Sequence, residues 1–105
     1  MIVRTWQAKS PTRHEDGFLE HLRRTGIDDY ITTAGCIDYE LWIIRDDSWT
    51  HYTLVSRWNS LDAVCSFAGN DYEAAVLYPG DEAYELVPER FVRHFEVVAI
   101  DGLEE

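Results

Sequence analysis

Residues 36–45, CIDYELWIIR, and 50–58, THYTLVSRW, are apolar-rich runs on either side of the polar turn DDSW, and together they predict a β-hairpin. Upstream, IVRTWQA (2–8) mixes apolar and polar positions with loose alternation and predicts a strand. Ser10 then stands as an N-cap before Pro11 at the first helical position. Phe18, Leu19 and Leu22 share one stripe, with Asp16, Glu20, Arg23 and Arg24 outside it. This predicts a helix to about Arg24, stopped by Gly26. IDDYITTAG reads as an irregular connection with at most a short helical turn. Past the hairpin, Ser60 caps a helix over 61–68, with Leu61, Val64, Cys65 and Ala68 at helical spacing and Gly69 as its stop. Asn70 and Glu73 have capping-box spacing and predict a second short helix to about Leu77, broken by YPGDE. RFVRHFEVVAI (90–100) is the last predicted strand, and DGLEE a solvated tail.

The order strand, helix, strand, strand, helix, strand is that of a ferredoxin-like βαββαβ α+β sandwich: one domain over 1–105, an antiparallel sheet, helices on one face. A sheet wet on its other face should alternate apolar with polar. LWII (41–44) and VVAI (97–100) are apolar at both parities, and Phe91, Val92 and Phe95 precede the latter. At about 25 cal/mol per Å², leaving such rows in water forgoes several kcal/mol. The predicted helices cover one face only. A second copy of the sheet is the simplest cover for the other, which predicts a homodimer packed sheet on sheet. The competing arrangement is a monomer whose tail and 25–35 loop fold over that face.

Charge narrows the partners. Twenty acidic and nine basic residues give a net charge of −11, a field that disfavours nucleic acid and anionic membrane surfaces. No apolar run reaches the length of a membrane span and the first residues do not resemble a signal peptide, so the expected location is cytoplasmic. Cys36 and Cys65 are isolated in apolar surroundings and read as reduced, packed thiols.

No phosphate loop, nucleophile elbow or zinc-protease pattern occurs. His14 and His21 are two helical turns apart, too far to share one metal ion, and read as rim positions flanking Phe18. Glu15 falls near the centre of the apolar stripe; the helix dipole accounts for it, and an inward-facing acid or base is the alternative. His51 opens a strand beside the turn and is expected to be exposed. His94 sits mid-strand between apolar neighbours. There it is either a neutral imidazole satisfied by a nearby hydroxyl or carbonyl, or a general base in a dry pocket. Trp6, Trp42 and Trp58 lie on or at the ends of strands, where tryptophan usually packs the core. Phe67, Tyr72 and Tyr78 add an aromatic patch between helices and sheet. Arg4 and Arg57 are strand arginines that suit a substrate carboxylate or phenolate, or equally one of the surplus acids.

The stretch RWNSLDAVCSFAGNDYEAAVLYPGDE, with RFVRHFEVV near the end and MIVRTW at the start, resembles the antibiotic biosynthesis monooxygenase domain family of the dimeric α/β-barrel superfamily. The resemblance covers nearly the whole chain and implies a ferredoxin-like fold that dimerises through its open sheet face, as a dimeric α/β barrel. It implies a pocket between sheet and helices lined by Trp58, Phe67, Tyr72, Tyr78 and His94, approached by Arg4 and Trp6. Some members oxidise phenolic polyketides with no flavin, metal or haem. By that resemblance the chain is a cofactor-independent monooxygenase of a small aromatic substrate, with His94 as base, Arg4 as anion partner and the aromatic residues as ring walls. A non-catalytic dimeric binding module, or an isomerase or cyclase of a similar substrate, are the alternatives. Haem-degrading relatives carry an asparagine on the first strand, a tryptophan on the second helix and an iron-ligating histidine beyond it. Arg4 to Gln7, Phe67 and the histidine-free YEAAVLYPGDEAYE stand at those places.

Overall fold

The computed structural model describes residues 1–100; the tail 101–105 lies outside the described residues. The predicted hairpin forms from β2 (Cys36–Asp46) and β3 (Trp49–Trp58), with a register shift between Cys36 and Asp38. On its other side β3 pairs with β1 (Ile2–Pro11), from Ile2 opposite Trp58 to Pro11 opposite Trp49. The free edge of β1 is shared by two short strands. β4 (Val87–Pro88) pairs with Ala8 and Lys9, and β5 (Arg93–Glu96) pairs with residues 2–5. The antiparallel order β2-β3-β1, then β4 and β5, is the ferredoxin-like arrangement that the element order predicts.

Register fixes which side chains face the helices. The even-numbered residues of β1 and β3 do so, and Trp6, Ala8, Tyr52, Leu54 and Trp58 are buried under α1 (Glu15–Leu22), α2 (Asp28–Thr32) and α3 (Leu61–Ala68). Phe18 and Leu22, Tyr30 and Val64 are the helical half of this core. The opposite face carries Trp42 (54% exposed), Ile44 (71%), Phe95 (49%) and Val87 (49%). Trp42 and Phe95 line a groove with Val3, Thr53 and Val55. No helix or strap among the described residues covers this face, so the double apolar parity of LWII is borne out in its exposed half. Among the described residues no helix is long and apolar enough to cross a membrane. Both cysteines are unpaired and half-buried, and burial raises the Cys36 thiol.

Four elements differ from expectation, each for a backbone reason. Ser10 does not cap a helix: the β1–β3 ladder continues to Pro11, and the buried Ser10 hydroxyl is engaged by Tyr52 Oη at 2.8 Å. A 3₁₀ turn (Thr12–His14) follows, and α1 starts only at Glu15. Gly26 does not stop the helix. The chain passes through a π-helical segment (Arg23–Ile27) straight into α2, because Gly26 is buried where Leu22 and Tyr78 pack around its bare Cα. The helix predicted over 70–77 is absent. Residues 73–75 instead exchange backbone hydrogen bonds with 90–92, through Ala75 N–H to Arg90 O and Val92 N–H to Glu73 O. The last strand ends at Glu96, opposite Ile2; one further backbone bond, Val97 N–H to Met1 O at 3.0 Å, follows, and Val97, Val98 and Ile100 have exposed side chains.

Glu15 ties α1 to the hairpin. Arg45 donates to it twice, Nε to Oε1 at 2.7 Å and Nη2 to Oε2 at 2.6 Å, and Thr50 Oγ1 donates at 2.8 Å. The bonds from Arg45 and then Thr50 hold the Glu15 carboxyl at about 2, against an ordinary 4.5. A lowered folded-state value means that this contribution is complete above the unfolded value and is lost as pH falls through the folded one. Glu15→Gln should therefore destabilise the protein at neutral pH, and the deficit relative to wild type should shrink between about pH 4.5 and 2. Urea midpoints measured across that range check this; a constant deficit would contradict it.

Candidate functional site

Trp58 is wholly buried at the end of β3. Its Nε1–H donates to Ser56 Oγ at 2.8 Å, and its ring meets Tyr30 edge-on (5.6 Å) and Phe67 (5.7 Å). It packs behind the candidate site and does not line it. The site is a cavity between the sheet and α1–α2, bounded by Arg4 and Trp6 of β1, Phe18 of α1, Tyr30 of α2, Phe67 of α3 and Tyr78. Its free volume is about 20 Å³, room for one water molecule.

Of the residues expected to form a pocket, Arg4, Trp6, Phe67 and Tyr78 meet around this cavity. Tyr72 and His94 do not. Their rings meet edge-on at 5.3 Å and line a neighbouring groove with Ile2, Leu61 and Val92. Arg4 joins the two places. Its Nη1 donates to Tyr72 O at 2.7 Å and contacts His94 Nε2 at 2.9 Å, while its guanidinium lies 5.5 Å from the Phe67 ring centre. Because guanidinium only donates, His94 Nε2 must accept, which leaves the proton on Nδ1. Burial, then the Arg4 charge, lowers the His94 pKa, so the ring is neutral at pH 7.

A strap spanning 69–86 closes the outer side of the cavity and is held by polar side chains. Asp81 accepts from His21 Nε2 at 2.7 Å and from the Tyr78 N–H at 3.0 Å. The Tyr78 hydroxyl donates to Asp29, and burial with that bond pushes its pKa far up. Glu85 pairs with Arg13 and with His14 (2.8 Å), and Tyr84 packs on Phe18 and His21 at 6.0 and 5.2 Å. His14 and His21 thus hold the strap, one rim pair each. Gly80 takes a positive φ of 98° with the His21 ring 3.1 Å from where a Cβ would stand. Tyr30 and Asp81 escaped the sequence reading: Tyr30 lay in a stretch read as irregular, and Asp81 in one read only as a helix breaker. His21 and Asp81 are sixty positions apart, and no local pattern couples them.

Among the described residues two buried side-chain donors lack any partner, Arg4 Nε and Trp6 Nε1, and both belong to residues bounding the cavity. Arg4 is 1% exposed, yet no carboxylate among the described residues pairs with it. Burial lowers its pKa, and the nearby Tyr30 hydroxyl, itself raised by burial, partly offsets this. Among the described residues no group of three or more His, Cys, Asp or Glu side chains is placed to hold a metal ion.

No protein-family model and no curated protein matches the chain. Solved structures do. A candidate antibiotic biosynthesis monooxygenase from Deinococcus radiodurans is 13% identical, with 98% of each chain covered and a TM-score of 0.63. A second protein so described, from Bacillus cereus, is 13% identical over 96% of this chain and 94% of that one, TM-score 0.61. A variant of MhuD with two manganese protoporphyrin IX molecules bound per active site is 18% identical over 97% and 99%, TM-score 0.57. The lining here does not suit a porphyrin iron: the strap over the cavity, 69–86, contains no histidine to ligate it. What the chain shares with all three is the whole ferredoxin-like fold from end to end.

Proposed function

We propose that this chain is a cytoplasmic, dimeric monooxygenase that oxidises a small aromatic or polyketide-like molecule with O₂ and without a bound cofactor. The observation that supports it most is the ring-lined cavity with two unpaired buried N–H donors, an apolar slot with a few polar groups of the kind small-molecule sites use. The exposed apolar sheet face supports the dimer, with Trp42 and Phe95 against a second copy. A substrate enters when the strap over 69–86 yields, for Tyr78 closes a space that now fits one water.

The substrate supplies the electrons. A base takes one proton from a methylene activated by phenolic rings, and the carbanion passes one electron to O₂. The radical pair then joins as a peroxide, which loses water to leave a ketone. Overall, CH₂ and O₂ become C=O and H₂O. The walls exclude water and hold the rings, and Arg4 faces the oxygen on which charge gathers. His94 is the proposed base. Its Nε2 becomes free when Arg4 turns from it to the substrate, and its lowered pKa keeps it unprotonated at pH 7.

A second reading, a dimeric module that binds an aromatic metabolite without turnover, is favoured by one observation. The imidazole and carboxylates around the site all have partners inside the chain: His94 with Arg4, Asp81 with His21, Asp29 with Tyr78. Oxygen uptake with a panel of anthrones and hydroquinones separates the two. The monooxygenase predicts uptake by wild type that falls about 100-fold or more in His94→Ala. Binding without uptake selects the module. Uptake untouched by His94→Ala removes His94 as base, and no binding at all contradicts both readings.

A further inference from the structure

We infer that the cavity recognises its ligand as an anion: an aromatic molecule whose conjugated oxyanion, a carboxylate or phenolate, accepts hydrogen bonds from Arg4 Nε and Trp6 Nε1. This rests on the reading that the cavity takes an aromatic molecule, and it specifies the charge that molecule carries.

The distribution of charge in the chain argues for it. Acidic residues outnumber basic ones twenty to nine, so carboxylates are plentiful. Arg13, Arg23, Arg45 and Arg57 each pair with one, and their side chains are 66%, 67%, 58% and 32% exposed; Arg90 and Arg93 form no ion pair among the described residues but are exposed to water. Arg4 is 1% exposed and, among the described residues, has only neutral neighbours: a backbone carbonyl, a neutral imidazole, the Tyr30 hydroxyl and the Phe67 ring face. A buried cation without a counter-ion is among the costliest arrangements a fold can hold. Asp81 also bounds the cavity, but one of its oxygens is taken by His21 and the other by the Tyr78 N–H. The Tyr30 hydroxyl is held neutral by its burial. One water would satisfy the hydrogen bonds of Arg4 Nε and Trp6 Nε1 and still leave the charge uncompensated. An oxyanion answers both, and guanidinium is the side chain whose planar fork matches one. The rings of Trp6 and Phe18, stacked at 6.4 Å, and of Phe67 supply an apolar wall for the rest of the molecule.

The test compares two probes with the same rings at pH 7, 2-naphthoate and the neutral 2-naphthamide, followed by NMR of the indole N–H resonances. Trp6→Phe identifies the Trp6 signal and keeps an aromatic wall. The inference predicts that naphthoate binds at least tenfold tighter than the amide and moves the Trp6 N–H downfield. It predicts that Trp6→Phe weakens naphthoate several-fold with little effect on the amide, and that Arg4→Gln abolishes the preference. Equal binding of the two probes by wild type overturns the inference and leaves the aromatic cavity standing. Binding of neither removes the cavity reading itself and the inference with it. The wild-type comparison and Trp6→Phe decide the matter even where Arg4→Gln fails to fold.

Discussion

One sheet here is apolar on both faces, and the chain has helices for only one of them. Three helices and a strap cover the inner face, sealing Trp6, Tyr52, Leu54 and Trp58. Outside, Trp42, Ile44, Val87 and Phe95 are each about half exposed or more. Beyond the last strand pair, Val97, Val98 and Ile100 are exposed as well. At about 25 cal/mol per Å², covering these side chains contributes several kcal/mol, comparable to the whole stability of a small domain. In the proposed dimer this open face is the interface, and it would give β1, which carries Arg4 and Trp6, a rigid backing.

The inner face is where chemistry and packing meet. Arg4 reaches from the middle of the sheet to the strap carbonyl of Tyr72, to the His94 ring on β5 and to the Phe67 face on α3. Strap, edge strand and helix thus converge on one buried charge. The strap is fastened by side-chain pairs, Asp81 with His21, Asp29 with Tyr78 and Glu85 with His14, and by the backbone bonds of residues 73–75 with 90–92. Under the proposed function, opening this cover would exchange those polar contacts for water, which suits an entrance.

The architecture was largely legible in the chain, because its signals are local. Hairpin alternation, the Ser60 cap accepting from the Ala63 N–H, and the Gly69 stop all lie within a few residues of what they specify. Where the reading went astray, a distant partner outweighed a local preference. Ser10 has the look of a cap, but Tyr52 claims its hydroxyl; Asn70 and Glu73 have capping-box spacing, but residues 90–92 claim the backbone there. The site was legible in its residue types and less so in its grouping. Arg4, Trp6, Phe67 and Tyr78 converge, whereas Trp58 lies behind them and His94 with Tyr72 lies beyond Arg4. Tyr30, His21 and Asp81 join the site through contacts that no spacing along the chain encodes.

The claim beneath this account is that the uncovered sheet face is an interface. Sedimentation velocity at micromolar concentration on wild type and Trp42→Glu tests it most directly. A carboxylate placed on that face, midway along the edge strand β2, should split a dimer into single chains while leaving the helix-covered core folded. The account predicts two-chain particles for wild type and one-chain particles for the variant. A wild type that sediments as a single chain, or a dimer indifferent to Trp42→Glu, would contradict it.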